Sequence, residues 1–329
     1  MKMSSVERRS LQRVVFVLLA VLAGVAPAQA AGEWKPSKPI EFVAPYAPGG
    51  GSDVLARSIA SVIDGEKLSP VPLIVVNRPG GSGLVGTTGV AQQRGNPYTL
   101  LTFISGQASA PLVTGGGSAT FRDLTMIALL AIDEQLIVVK TDSPFKKIED
   151  VVAAAKQRTL TIGGTATGQE DHMCNRLFEK AAEIKFRYVP FNSGGECITA
   201  VLGGHVDMIW ANPSEFVPQW EAKMVQPIAV AKEVRLPDLP DVPTFKEKGF
   251  NVTFKMFRGI SAAPGIPPEA ATFYEKVMKR VSDSPRWKEG YLKRYMLSPS
   301  WMGSKDFNKF VGESEELFKG ILKELGLVK

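Results

Sequence analysis

Four times along the chain a short apolar, β-branched run ends in a glycine-rich turn that opens an amphipathic segment. The run at 40–45 passes into Tyr46-Ala47-Pro48-Gly49-Gly50-Gly51-Ser52-Asp53, and that at 73–76 into Asn77-Arg78-Pro79-Gly80-Gly81-Ser82-Gly83. Further on, 160–162 leads into Gly163-Gly164-Thr165-Ala166-Thr167-Gly168, and 186–189 into Asn192-Ser193-Gly194-Gly195. Glycines let backbone N–H groups approach a ligand, and a helix start presents unpaired donors with partial positive charge. In doubly wound sheets such turns share the carboxyl edge, where ligands bind. Four of them in two sets point to a carboxylate or similar anion held between two lobes.

The rest of the chain follows the same alternation. Further strands are expected at 99–104, 127–132, 136–139, 206–210, 228–230 and 259–262. Helical spacing recurs at 52–63, where Leu55, Ile59, Val62 and Ile63 share a face, and again at 169–182 and 196–202. The pattern predicts an α/β protein with doubly wound, mostly parallel sheets. The segments 268–281, 286–295 and 305–325 read as a helical C-terminal region.

Residues 1–30 combine Lys2, Arg8, Arg9 and Arg13 with an apolar run at 14–25 and Ala28-Gln29-Ala30, the anatomy of a secretory signal peptide. Arg8-Arg9-Ser10-Leu11 faintly resembles a twin-arginine signal. Without this segment the balance falls from 39 basic against 33 acidic residues to 35 against 32, scattered rather than striped, so nucleic acid is not an expected partner. About 300 remaining residues fit two ordinary domains.

Other chemistries lack their signatures. Gly81-Ser82-Gly83-Leu84-Val85-Gly86 matches a dinucleotide fingerprint, but no acid stands near position 106 to hold a ribose, and no cofactor is expected. His172 lies near Asp171 and Cys174, and His205 near Asp207, without a third strong ligand; both histidines read as structural and no metal is expected. Thr167 to Glu170 and Ser193 to Glu196 fit the capping box, so Glu170 and Glu196 read as helix caps. Cys174 and Cys197 favour a disulfide in an oxidising compartment, but neighbouring helices need not bring them within reach, and the pairing stays open.

KPIEFVAPYAPGGGSDVLAR, IVVNRPGGSGLVGTTGVA followed by TLLTF, GHVDMIWANPSE, LPDLPDVPTFKEKGF and FRGISAAPGIP, taken in order, resemble the Bug-type solute-binding proteins of tripartite tricarboxylate transporters. The resemblance covers essentially all of the chain after the signal. It implies a two-lobed type II periplasmic binding-protein fold: lobe one over 31–134 with the C-terminal helices 265–329 packing back, and lobe two over 135–264. It further implies a monomeric, non-enzymatic periplasmic receptor that delivers a small organic carboxylate to a membrane permease. On the matching positions, one carboxylate would sit among Tyr46, Pro48, Gly49, Gly50, Ser52, Asp53, Gly81, Ser82 and Gly83. Thr165, Ala166, Thr167, Asn192, Ser193 and Asp207 would meet the rest of the ligand. Tyr46 and Trp210 read equally well as core aromatics. GNPYTL at 95–100 departs from the family's usual aspartate-glycine-tyrosine turn. In GTATGQEDHM, Glu170 and Asp171 stand where the family has small polar residues, which leaves room for a neutral, aromatic or amine-bearing distal end. Two other readings remain: an exported hydrolase or lyase using Asp53, His172 or Asp207 as acid or base, and a receptor that docks to a sensor.

Overall fold

The computed structural model describes residues 34–115, 117–324 and 326–328; the expected signal peptide, 1–30, lies outside them. In chain order the elements begin β1 (Ile40–Ala44), α1 (Gly51–Gly65), β2 (Leu73–Asn77), α2 (Leu84–Ala91), β3 (Thr99–Ile104), α3 (Ser105–Thr114), β4 (Thr125–Asp133) and β5 (Leu136–Lys140). There follow α4 (Ile148–Ala155), β6 (Leu160–Thr165), α5 (Glu170–Ala182), β7 (Phe186–Phe191), α6 (Gly194–Leu202), β8 (Met208–Ala211), α7 (Pro213–Glu221) and β9 (Val225–Val230). Last come β10 (Met256–Ala262), α8 (Pro268–Asp283), β11 (Ser298–Gly303) and α9 (Ser304–Glu324).

Among the described residues the strands form two sheets, one ordered β11-β4-β10-β3-β1-β2 and the other β7-β6-β8-β5-β9. Strands joined through helices pair in parallel, as β1 does with β2 and β3, and β6 with β7 and β8. β10 and β11 run antiparallel in the first sheet and β5 in the second. The mostly parallel sheets expected from the alternation are therefore mixed. β5 follows β4 without a crossover helix and β10 arrives from the other sheet, so neither inherits the parallel direction of a βαβ unit.

The amphipathic faces are buried as their spacing requires. α1 buries Leu55, Ile59, Val62 and Ile63, and α9 buries Phe307, Val311, Phe318 and Leu322. Val138, Ile209, Phe216, Val217 and Val230 form part of the core of the second sheet. In the first sheet Phe257 packs edge-on against Phe307 and Phe310. β11 was not expected, because Ser298-Pro299-Ser300 has the composition of a loop. It lies at the sheet edge, where a proline is tolerated, and its register with β4 shifts after Pro299. The helix expected at 286–295 is a helical turn, Pro285–Trp287, followed by a π-helical stretch, Lys288–Lys293. Cys174 and Cys197 are buried free thiols.

Two crossings join the sheets. β4 ends at Asp133 and β5 begins at Leu136, leaving only Glu134 and Gln135 between them. The return path runs alongside: the Ala231 N–H donates to the Gln135 carbonyl at 2.8 Å and the Phe254 N–H to the Ala231 carbonyl at 2.9 Å. β10, which the expected boundary at 264 left with the second sheet, pairs with β3 and β4 in the first.

Candidate functional site

The carboxyl ends of β1, β3, β6 and β8, with the start of antiparallel β10, face one another across a closed cleft. Its inner cavity measures about 20 Å³, on the scale of a single water. Tyr46, Gly50, Gly51, Ser52, Ile104, Met256 and Arg258 line it from the first sheet's side. Thr165, Gln169, Glu170, Asp171, Ser193, Gly194, Asn212 and Glu215 line it from the second's. A wider cavity of about 230 Å³ lies on the other side of Tyr46, lined by Gly80, Ser82, Gly83, Ala166, Thr167, Pro190, Phe191 and Asn192.

One contact defines the chemistry of the first-sheet turn. Glu215, in the first turn of α7, accepts from the Gly51 N–H at 3.2 Å with Oε1 and from the Asn212 N–H at 3.0 Å with Oε2. A carboxylate from the second sheet's side therefore rests on the first backbone amide of α1. Gly194 leaves room for that carboxylate: a Cβ at this position would lie 2.1 Å from the Glu215 carboxyl carbon and push it from its place. Gln169 makes the second bridge: its Nε2 donates to the Ser82 carbonyl at 2.5 Å, and its Oε1 accepts from the Tyr46 hydroxyl at 3.1 Å.

The floor of the cleft is charged. Arg258 donates to Asp133 through Nε at 2.9 Å and Nη2 at 2.5 Å, and Lys232 pairs with Glu134 at 2.9 Å. Asp171 accepts from the Thr165 N–H and from Gln135 Nε2, both at 2.6 Å. Burial pushes the Glu170 carboxyl up to about 7 and raises that of Glu215. It also lifts Asp171 well above the ordinary range, with the charge of Glu215 adding to the effect.

The structure divides the residues expected from the sequence. Tyr46, Gly50, Ser52, Thr165 and Ser193 line the inner cavity, and Tyr46, Ser82, Gly83, Ala166, Thr167 and Asn192 the outer one. Pro48 and Gly49 are exposed at the rim, and Gly81 is exposed and lines neither cavity. Asp53 braces the turn: it accepts from the Gly49 N–H at 3.1 Å, from Arg57 at 3.0 Å and from Asn77 Nδ2 at 3.0 Å. These bonds hold its carboxyl below the usual range despite the opposing effect of burial.

Asp207 is not brought to the cleft. It precedes β8 at the opposite edge of the sheet, where it accepts from the Thr161 N–H at 2.7 Å and hydroxyl at 2.8 Å and pairs with Arg158. Trp210 belongs to the core, stacked on Phe245. His172 accepts from the Gly168 N–H at 3.0 Å and stacks on Tyr188, and burial lowers its pKa to about 4. Glu196 caps α6 by accepting from the Asn192 N–H at 3.0 Å, and Ser193 accepts from the Glu196 N–H at 3.3 Å. Glu170 does not cap: α5 begins at Glu170 itself, with Gln169 at the N-cap, and the Glu170 side chain lines the cleft. Sequence reasoning missed Gln169, Asn212, Glu215 and Arg258. The one local signal was a lone arginine within the apolar strand Met-Phe-Arg-Gly-Ile-Ser-Ala.

Among the described residues no helix is long and apolar enough to cross a membrane, and no cluster of His, Cys, Asp and Glu could hold a metal ion. Residues 55–327 match the family described as tripartite tricarboxylate transporter family receptor. A Cupriavidus necator protein, described as a UPF0065 protein in the gbd 5′ region, is 28% identical over 305 residues, covering 92% of each chain. A TctC solute binding protein from Polaromonas superposes with a TM-score of 0.62 at 28% identity, over 88% of this chain and 99% of that one. The periplasmic binding protein BugD superposes with a TM-score of 0.83 at 23% identity, over 89% and 99%. The chain belongs to the tripartite tricarboxylate transporter receptor family. It is a Bug-type solute-binding receptor of two-lobed fold, and not an enzyme.

Proposed function

We propose that this receptor works in the periplasm as a monomer, captures a small organic carboxylate between its sheets and delivers it to a tripartite-type membrane permease. The ligand carboxylate takes the amides of the turn around Gly50, Gly51 and Ser52 at the start of α1, and Tyr46, Ser82 and Gly83 flank it. Thr165, Ala166, Thr167, Asn192 and Ser193 meet the remainder. The two lobes are the chain around the first sheet, 35–133 with 256–328, and the chain around the second, 135–254, hinged at the paired crossings.

The observation that carries this reading is Glu215 on Gly51. A carboxylate oxygen already accepts from the first amide of α1, which is what the unpaired donors and partial positive charge of a helix start favour. A ligand carboxylate takes this position when the sheets part and close again around it. Mass spectrometry of protein purified under native conditions should identify a co-purifying organic acid. Stripped protein should regain its melting temperature when that acid is restored, by about 2.7 kcal/mol of stabilisation at a hundredfold excess over Kd. Carried ligands that all lack a carboxylate would refute the reading.

A further inference from the structure

The second sheet's side of the cleft gathers three carboxyl groups with no free cation among them, a wall that does not suit a ligand with two acidic ends. Glu170, Asp171 and Glu215 all line the inner cavity. Among the described residues the one guanidinium that lines it, Arg258, is committed to Asp133 through two bonds, and Lys232 outside it is paired with Glu134. Asp171 is satisfied by two donors of the protein, and Glu215 is too in the closed cleft, one of its donors being the Gly51 N–H that the ligand carboxylate takes. Glu170 is different. Its side chain is 4% exposed, and its Oε1 is shut off from solvent with no hydrogen-bond partner. A buried carboxylate oxygen without a donor is costly, and a donor supplied by a bound molecule removes that cost.

We propose that this side of the cleft takes a protonated amine, so that the ligand is a carboxylate that also carries a cationic group, with Glu170 Oε1 as the amine's acceptor and Asp171 and Glu215 as neighbouring counter-charges. The proposal rests on the carboxylate reading above for the ligand's other end. An ammonium group brings three donors and a positive charge to a place that offers an unused acceptor and three acids. A second carboxylate there would find no free cation and would have to keep these acids protonated, whereas an ammonium favours their ionised form.

The test is calorimetric titration of the protein, stripped of carried ligand, with sets of compounds in which only the far end changes. β-Alanine is compared with succinate and propionate, γ-aminobutyrate with glutarate and butyrate, and δ-aminovalerate with adipate and valerate. Alanine and norvaline are added as α-amino acids, and the corresponding alkylamines as cations without a carboxylate. In at least one set the amino member should bind at least about tenfold tighter than its dicarboxylate partner, which corresponds to about 1.4 kcal/mol. Glu170→Gln should shrink that ratio by about tenfold. Glu215→Gln, read in parallel, keeps the test informative if the first variant folds poorly. A dicarboxylate or simple acid that binds as tightly as the amino member, or a ratio unchanged in both variants, overturns the amine site and leaves the carboxylate reading standing. Alkylamines that bind as well as amino acids support the amine site and overturn the carboxylate reading. Binding by no compound of any set counts against both.

Discussion

Arg258 and Asp133 meet beneath the cleft in an ion pair that water does not reach, the two residues being 1% and 0% exposed. Asp133 is the last residue of β4, so the pair stands where the chain leaves the first sheet. The guanidinium also underlies the α1 turn: a Cβ on Gly51 would lie 2.6 Å from Arg258 Nη2. One cation thus touches both the end of β4, where the chain crosses to the other sheet, and the turn whose amides we propose for the ligand carboxylate. Burial still raises the Asp133 carboxyl above its ordinary value, so desolvation outweighs the help of Arg258.

Breaking that pair from one side should be expensive. Asp133→Asn leaves a buried guanidinium without its counter-charge, at an expected cost of about 3–5 kcal/mol. Urea unfolding should show a lower midpoint with an unchanged slope. The double variant Asp133→Leu with Arg258→Met should cost well under the sum of the two single changes, because it leaves no orphaned charge. Strict additivity in that cycle would contradict the account.

Gly50 bears on closure rather than on the conformation of the turn. Its φ is −82°, which any residue adopts, but an added Cβ would sit 3.2 Å from Ser193 Cβ across the cleft. Gly50→Val should therefore fold, fail to close and lose binding. Small-angle scattering should show ligand-dependent compaction in the parent and none in the variant. Ser52→Ala removes the bond between Ser52 Oγ and Thr102 Oγ1 but leaves the amides of α1 in place, so it should cost about 1 kcal/mol of stability. Normal binding by Gly50→Val would move the carboxylate off this turn.

The buried glutamates give stability a pH dependence of definite sign. Glu134 and Glu170 are pushed up to about 7, so the folded protein holds protons that the unfolded chain releases near the ordinary glutamate value. Stability is then fullest at the acid end, falls as pH rises from the ordinary glutamate value through 7, by at most about 1.4 kcal/mol per pH unit for each group, and levels off above. Asp171 acts in the same sense. His172, lowered to about 4, acts in the opposite sense but only below its ordinary value of 6.5. Between pH of about 6.5 and 8 the acids act alone, and the melting temperature should fall. Glu170→Gln should flatten the curve; a melting temperature that rises across this window would contradict the raised values.

The strands, the helices that follow them and the four glycine turns are legible in the sequence because each is a local pattern of period and composition. The acidic wall is not, because it depends on contacts across the cleft. Glu215 reaches Gly51 from 164 positions away, and nothing around Asn-Pro-Ser-Glu marks that destination. Glu170 is misleading in the sequence because Thr167 to Glu170 satisfies a capping pattern, whereas α5 starts two residues later than that pattern requires. Asp207 has a different history: the strand expected at 206–210 already sets it at the amino end, away from the carboxyl edge, and only the family likeness of its block drew it into the site.

β3 and β4 are consecutive strands, yet β10 lies between them in the sheet. The first strands to leave the ribosome therefore cannot complete their own sheet. β3 and β4 each keep an open edge until residues 256–262 arrive, and β4 keeps its outer edge open until 298–303. The second sheet is assembled from one uninterrupted stretch, 136–230. Non-local pairing is slow, and unpaired strand edges invite intermolecular pairing, so a truncated or stalled chain exposes its amino-terminal half to aggregation. Order of synthesis and order of assembly run against each other: the sheet made first is the one finished last.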